Sequence, residues 1–151
     1  MRGSILALAS LLVLAGCEKP APPPATSSQR VTLVQKGPAQ IELVPAAGQP
    51  PYCLVFTIAE GGPIRHLTTL EDKLSPDCPA GEPVLGNVFR IPPREGTVKI
   101  FVVFSDRALE ADPVARQISD LVSQKQPVTA MDLRAPGRVV VEMLSFTPSA
   151  G

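Results

Sequence analysis

Apolar and polar residues alternate with period two through most of the chain beyond residue 30, the mark of strands with one buried face. Val31 and Leu33 alternate with Thr32, and Ile41 and Leu43 with Gln40 and Glu42. Lys36-Gly37-Pro38 between them is a turn signal. Tyr52 to Ile58 is a stronger strand: Tyr52, Leu54, Phe56 and Ile58 share one face, and Cys53, Val55 and Thr57 the other. Glu60-Gly61-Gly62-Pro63 predicts a hairpin into a strand over Ile64–Leu70. If the Leu54/Phe56 face is the core, Cys53 points outward.

Glu71 to Glu82 contains Pro76, Pro79 and Gly81 and predicts a long loop, which needs tying down. Val84 to Ile91 predicts a strand with a bulge at Gly86-Asn87. Pro92 to Gly96 is a turn. Thr97 to Phe104 follows, with Val98, Ile100, Val102 and Phe104 on one face and Phe101 and Val103 on the other. A strand apolar on both faces is central or covered by a helix.

The pattern then changes period. Val114, Ile118, Leu121 and Val122 fall on one helical face, with Arg116, Gln117, Asp120 and Gln124 elsewhere. Asp112 suits a cap and Pro113 the first helical position, so a helix is expected over 113–124. Its apolar stripe would cover the Val98–Phe104 strand. Arg138 to Phe146 returns to strand, with Val139, Val141 and Met143 opposed to Val140 and Leu144. About seven strands in hairpin-like succession exclude a repeated strand–helix–strand sheet. The expected fold is mainly β, an antiparallel β-sandwich with one inserted helix, spanning 30–148.

The N-terminus has a different composition. Arg2 precedes an apolar run from Ile5 to Leu14, and Gly3–Gly16 carries no charge. This run is too short to span a bilayer comfortably and reads as a secretory segment. It ends in Leu14-Ala15-Gly16-Cys17, which resembles the lipobox of bacterial lipoproteins. That resemblance implies a signal peptide over 1–16 and a mature chain starting at Cys17, which carries a diacylglyceryl thioether and an acylated amine. Several acyl chains, each contributing about 0.8 kcal/mol per buried CH₂, would hold the protein durably on a membrane. Glu18, where an aspartate more commonly retains such proteins at the inner membrane, points to the outer membrane and the periplasm.

Residues 17–29 would then be the lipidated cysteine and a tether. Glu18–Gln29 holds four prolines and no large apolar residue. It cannot build a core, and proline extends it, with a reach of up to about 37 Å.

Charge and cysteine count sharpen this picture. The chain has 14 basic and 14 acidic residues. Losing residues 1–16 removes only Arg2 among them. Near-neutrality removes the electrostatic case for nucleic acid and argues against a polybasic membrane patch. With Cys17 taken by lipid, Cys53 and Cys78 remain of three cysteines. An oxidising envelope favours a disulfide between them. The alternatives are two free thiols or a metal site with His66 and Asp77, whose spacing matches no recognised zinc pattern.

Candidate chemistry is sparse. His66 is the only histidine and therefore the simplest general base. Ser105-Asp106 follows a strand, but no Gly-x-Ser-x-Gly elbow surrounds it. Glu71 and Asp72 are adjacent and point apart. No phosphate loop occurs. Arg65, Arg90, Arg94 and Lys99 would form a basic patch if their strands were neighbours, a solvated sheet face being the plainer expectation. One tyrosine and no tryptophan leave little for a carbohydrate platform.

Tyr52 to Leu109 carries a second resemblance. Tyr52, Leu54 and Phe56, then Glu60-Gly61-Gly62, Ala80-Gly81-Glu82, Phe89-Arg90-Ile91-Pro92 and the Val98–Phe104 strand resemble a bacterial β-sandwich domain of unknown function. That domain is found beside kinase, caspase-like and repeat modules. It supplies no catalytic residues to carry over. The architecture is also similar to the lipoprotein of type VI secretion systems. The resulting expectation is a non-enzymatic lipoprotein, without metal or other cofactor, whose sandwich binds an envelope protein. Binding of a small ligand is the first alternative, and a hydrolase using His66 with Ser105 and Asp106 is the second.

Overall fold

The computed structural model describes residues 25–27 and 30–151. The signal segment, Cys17 and most of the tether lie outside the described residues. Among the described residues, eight strands form two four-stranded antiparallel sheets: β1 (Ala25–Ser27), β2 (Val31–Gly37), β3 (Gln40–Pro45) and β6 (Phe89–Arg90) in one, β5 (Ile64–His66), β4 (Tyr52–Ala59), β7 (Val98–Ser105) and β8 (Val139–Phe146) in the other. An α-helix, α1 (Ala111–Ser123), precedes β8. The mainly β sandwich with an inserted helix is therefore the observed fold.

Two apolar layers hold it together. The first lies between the sheets, where Val31, Leu33, Ile41 and Leu43 meet Val55, Ile100, Val102 and Phe104. The second lies between sheet and helix, where Leu54, Phe56, Phe101 and Val103 meet Val114 and Ile118. The doubly apolar β7 is central, as its pattern requires, and α1 covers its outer face. Full burial of each such side chain contributes roughly 1.5–3 kcal/mol, so the two layers account for most of the cohesion.

Both faces of β4 are thus buried, and this corrects the expected position of the disulfide. Cys53 and Cys78 are bonded, with Cα atoms 5.7 Å apart. The bond sits in the inter-sheet core, both cysteines being buried, instead of on an outer side. The larger Leu54/Phe56 face packs under the helix, which leaves the smaller Cys53/Val55 face for the sandwich interior. Cys78 lies in the long loop, which is tied down along its length. Cys53 N–H donates to Pro76 O (3.1 Å), Cys78 N–H to Pro51 O (2.7 Å) and Gly81 N–H to Pro45 O (2.9 Å).

Three local expectations change. β5 ends at His66 and does not continue to Leu70, because the Thr68 side chain replaces the backbone: its Oγ1 accepts the Val55 N–H at 3.1 Å. The Val84–Ile91 strand shrinks to Phe89–Arg90, because Val84–Gly86 is a 3₁₀ turn with Leu85 at φ 57° and Gly86 at φ 62°, which ends extended backbone. The helix starts at Ala111 without a side-chain cap. Lys73 O accepts the Ala111 N–H at 2.9 Å, so backbone from the long loop does the capping. Asp112 sits in the first turn, where its charge suits the helix dipole, 3.1 Å from Lys73 Nζ.

Strand pairing also begins inside the proline-rich stretch. β1 runs antiparallel to β2, with Ala25 opposite Val34 and Ser27 opposite Thr32. Its N-terminal end therefore points toward the Pro38–Ala39 turn. That turn shares an end of the sandwich with Pro92–Thr97 and the C-terminal tail, since Ile91 N–H donates to Ala39 O and Ser149 N–H to Pro38 O.

Candidate functional site

The hydrolase constellation does not assemble. His66 pairs with Phe56 on β4, whereas Ser105 pairs with Tyr52, four residues along and one strand further across. Strand rise and spacing put the two backbones roughly 16 Å apart. Each side chain is also engaged locally. Ser105 is buried and its hydroxyl donates to Arg107 O at 2.7 Å. Asp106 accepts the Arg138 N–H at 2.8 Å and so joins the end of β7 to the start of β8. His66 Nε2 lies 2.9 Å from Thr68 Oγ1, and its ring stacks on Phe56. Burial lowers its pKa below the usual value, and Asp112 opposes this weakly. Among the described residues no three His, Cys, Asp or Glu side chains gather as metal ligands.

The four basic residues do not share a sheet face. Arg65 pairs with Glu95. Arg90 belongs to the other sheet, opposite Gln40. What they share is an end of the molecule, the one toward which β1 points. Two open clefts lie there. The larger, about 670 Å³, lies between the last turn of α1 and the start of β7. Ile58 and Val122 supply apolar wall, and Thr97, Ser145, Lys99 and Lys125 supply polar groups. The smaller, about 480 Å³, adjoins it through the Glu60–Gly62 loop and includes Arg65 and Arg94. Sequence reasoning passed over Lys125, which follows the helix with φ 56° and joins Lys99 only through tertiary structure.

The remaining feature is an edge. β1, β5 and β6 are edge strands of two or three residues. β8 is an eight-residue edge, paired with β7 in unbroken register from Val139 to Phe146. Among the described residues no strand pairs with its outer side. Natural edges of this length usually carry lysine, proline or a bulge against unwanted pairing. β8 has none of these, and its one charge, Glu142, lies 3.7 Å from Arg30. Met143 is 50% exposed on it. The run of apolar residues with a single acid was readable in the sequence, but its place at an edge was not.

Comparison with protein-family models, with curated proteins and with solved structures finds no match.

Proposed function

We propose that the chain is a non-enzymatic lipoprotein of the cell envelope, held by lipid on Cys17 at the outer membrane, whose β-sandwich binds an extended strand of another envelope protein along β8. The observation that carries this reading is the long outer edge of β8, which no strand covers among the described residues. An edge strand offers a row of backbone donors and acceptors, and strand addition is a common mode of peptide recognition. The lipobox-like Leu14-Ala15-Gly16-Cys17 and the proline-rich stretch after it support the anchored setting. The local engagement of His66, Ser105 and Asp106 favours binding over hydrolysis.

A photo-crosslinking residue at Met143, with the same residue at Met131 as control, tests it in intact cells. Met131 is 95% exposed and lies outside the strands. A discrete protein adduct from position 143 and none from 131 is expected. No adduct at 143, or equal adducts at both positions, contradicts the reading.

A further inference from the structure

We propose that the cleft between α1 and β7 faces the membrane and takes the phosphate of an anionic phospholipid headgroup, with Lys99 and Lys125 as the binding cations. The inference rests on the anchored reading above, because the lipid on Cys17 fixes which surface the domain meets.

Overall neutrality hides a separation of charge that only the fold creates. The end toward which β1 points holds Lys36, Arg65, Arg90, Arg94, Lys99 and Lys125, against Glu42, Glu60, Glu95 and Asp120. The opposite end gathers Glu71, Asp72, Asp77, Asp106, Glu110 and Asp112, against Arg30, Lys73, Arg107 and Arg138. The molecule is therefore polarised along the strand direction. Its positive end is the one toward which the N-terminal end of β1 points.

Within that end some cations are already spent. Lys36 pairs with Glu42 and Arg65 with Glu95. Lys99 and Lys125 are exposed and have no ion-pair partner among the described residues. Both border the larger cleft, where they outnumber the one acid in its lining, Glu60. The helix C-terminus beside them would ordinarily repel an anion. Here three of its last carbonyls are occupied: Asp120 O accepts from Gln124 N–H, Leu121 O from Gln126 N–H and Val122 O from Lys125 N–H. Thr97 and Ser145 add hydroxyl groups at the rim, and Ile58 and Val122 offer apolar wall to the glycerol region of a lipid. Each lysine near an anionic surface adds about fivefold to binding, and the gain is screened by salt.

The test uses the mature chain, residues 17–151, carrying Cys17→Ala, so that neither lipid nor the apolar 1–16 segment contributes. Its partition is measured onto vesicles of phosphatidylglycerol in phosphatidylcholine and onto phosphatidylcholine alone. Preference for the anionic vesicles, reduced about 30-fold by Lys99→Gln with Lys125→Gln, is expected. An unchanged thermal midpoint shows that the double variant is folded. Equal partition onto both vesicles, or no change in the double variant, overturns the proposal. Inorganic phosphate is titrated separately by NMR. Saturation near Lys99 and Lys125 without any vesicle preference would assign a free-phosphate site and overturn the lipid assignment. Failure here is distinct from failure of the anchored reading, which the mass of the mature chain reads independently.

Discussion

His66 stacks on Phe56, ring centroids 5.0 Å apart and planes inclined by 28°. The contact explains why the only histidine is held below its usual pKa: apolar packing removes water from the ring, and the Asp112 charge only partly offsets this. The ring also hydrogen-bonds Thr68 Oγ1 through Nε2, 2.9 Å away. The unfolded chain, with an ordinary histidine near 6.5, binds the proton more readily. Stability from this residue is thus complete above pH 6.5 and falls as pH drops through 6.5 toward the folded-state pKa. Denaturant unfolding on either side of pH 6.5 should show this loss, and His66→Phe should flatten it relative to the parent. An unchanged slope in the variant would place the pH response elsewhere.

The disulfide is expected to matter twice over. It closes a 25-residue separation, which in the chain-entropy view contributes roughly 3.5 kcal/mol. It also fills volume between the sheets. Replacing both Cys53 and Cys78 by Ala should cost about 3–5 kcal/mol in urea unfolding. A loss below about 1 kcal/mol would mean that the loop is held by its backbone hydrogen bonds alone.

Thr57 is buried, and its hydroxyl has no hydrogen-bond partner among the described residues. An unsatisfied buried hydroxyl costs about 1–3 kcal/mol, and an apolar group of the same shape removes that cost. Thr57→Val should leave stability unchanged or raise it by about 1 kcal/mol, seen as a higher thermal midpoint. A clear fall would reveal a hidden partner.

Gly137 is required where the chain turns into β8. Its φ is 78°, and an added Cβ would run into the Asp106 carboxylate that holds Arg138 N–H. Gly137→Ala should destabilise by about 1–3 kcal/mol. It should also loosen the start of β8, read as faster amide exchange at Val140 and Glu142, whose N–H groups face β7. Wild-type exchange and stability would contradict this account of the junction.

The sandwich was legible because β4 and β7 are long and strongly patterned, and because the helical stripe of Val114 and Ile118 matches the second apolar face of β7. The direction of burial was not legible. Phe56 and Val55 are both core residues, so alternation could not say which face lay between the sheets. Side chains that imitate backbone were also invisible. Thr68 extends the ladder of β4, and Gln117, on the polar side of the helix, binds both Arg134 N–H (2.6 Å) and Arg134 O (3.0 Å). The basic cleft escaped notice because Lys99 and Lys125 are distant in sequence and meet only when α1 packs across the sheet.

In the proposed reading, lipid on Cys17 accounts for the tether and the orientation of the charged end, and it sets the β8 edge among other envelope proteins. Intact mass spectrometry of the chain extracted from membranes tests it most directly. The account predicts a protein beginning at Cys17, heavier than residues 17–151 by a diacylglyceryl group and an amide-linked acyl chain. A chain that begins at Met1, or one with an unmodified Cys17, would contradict it.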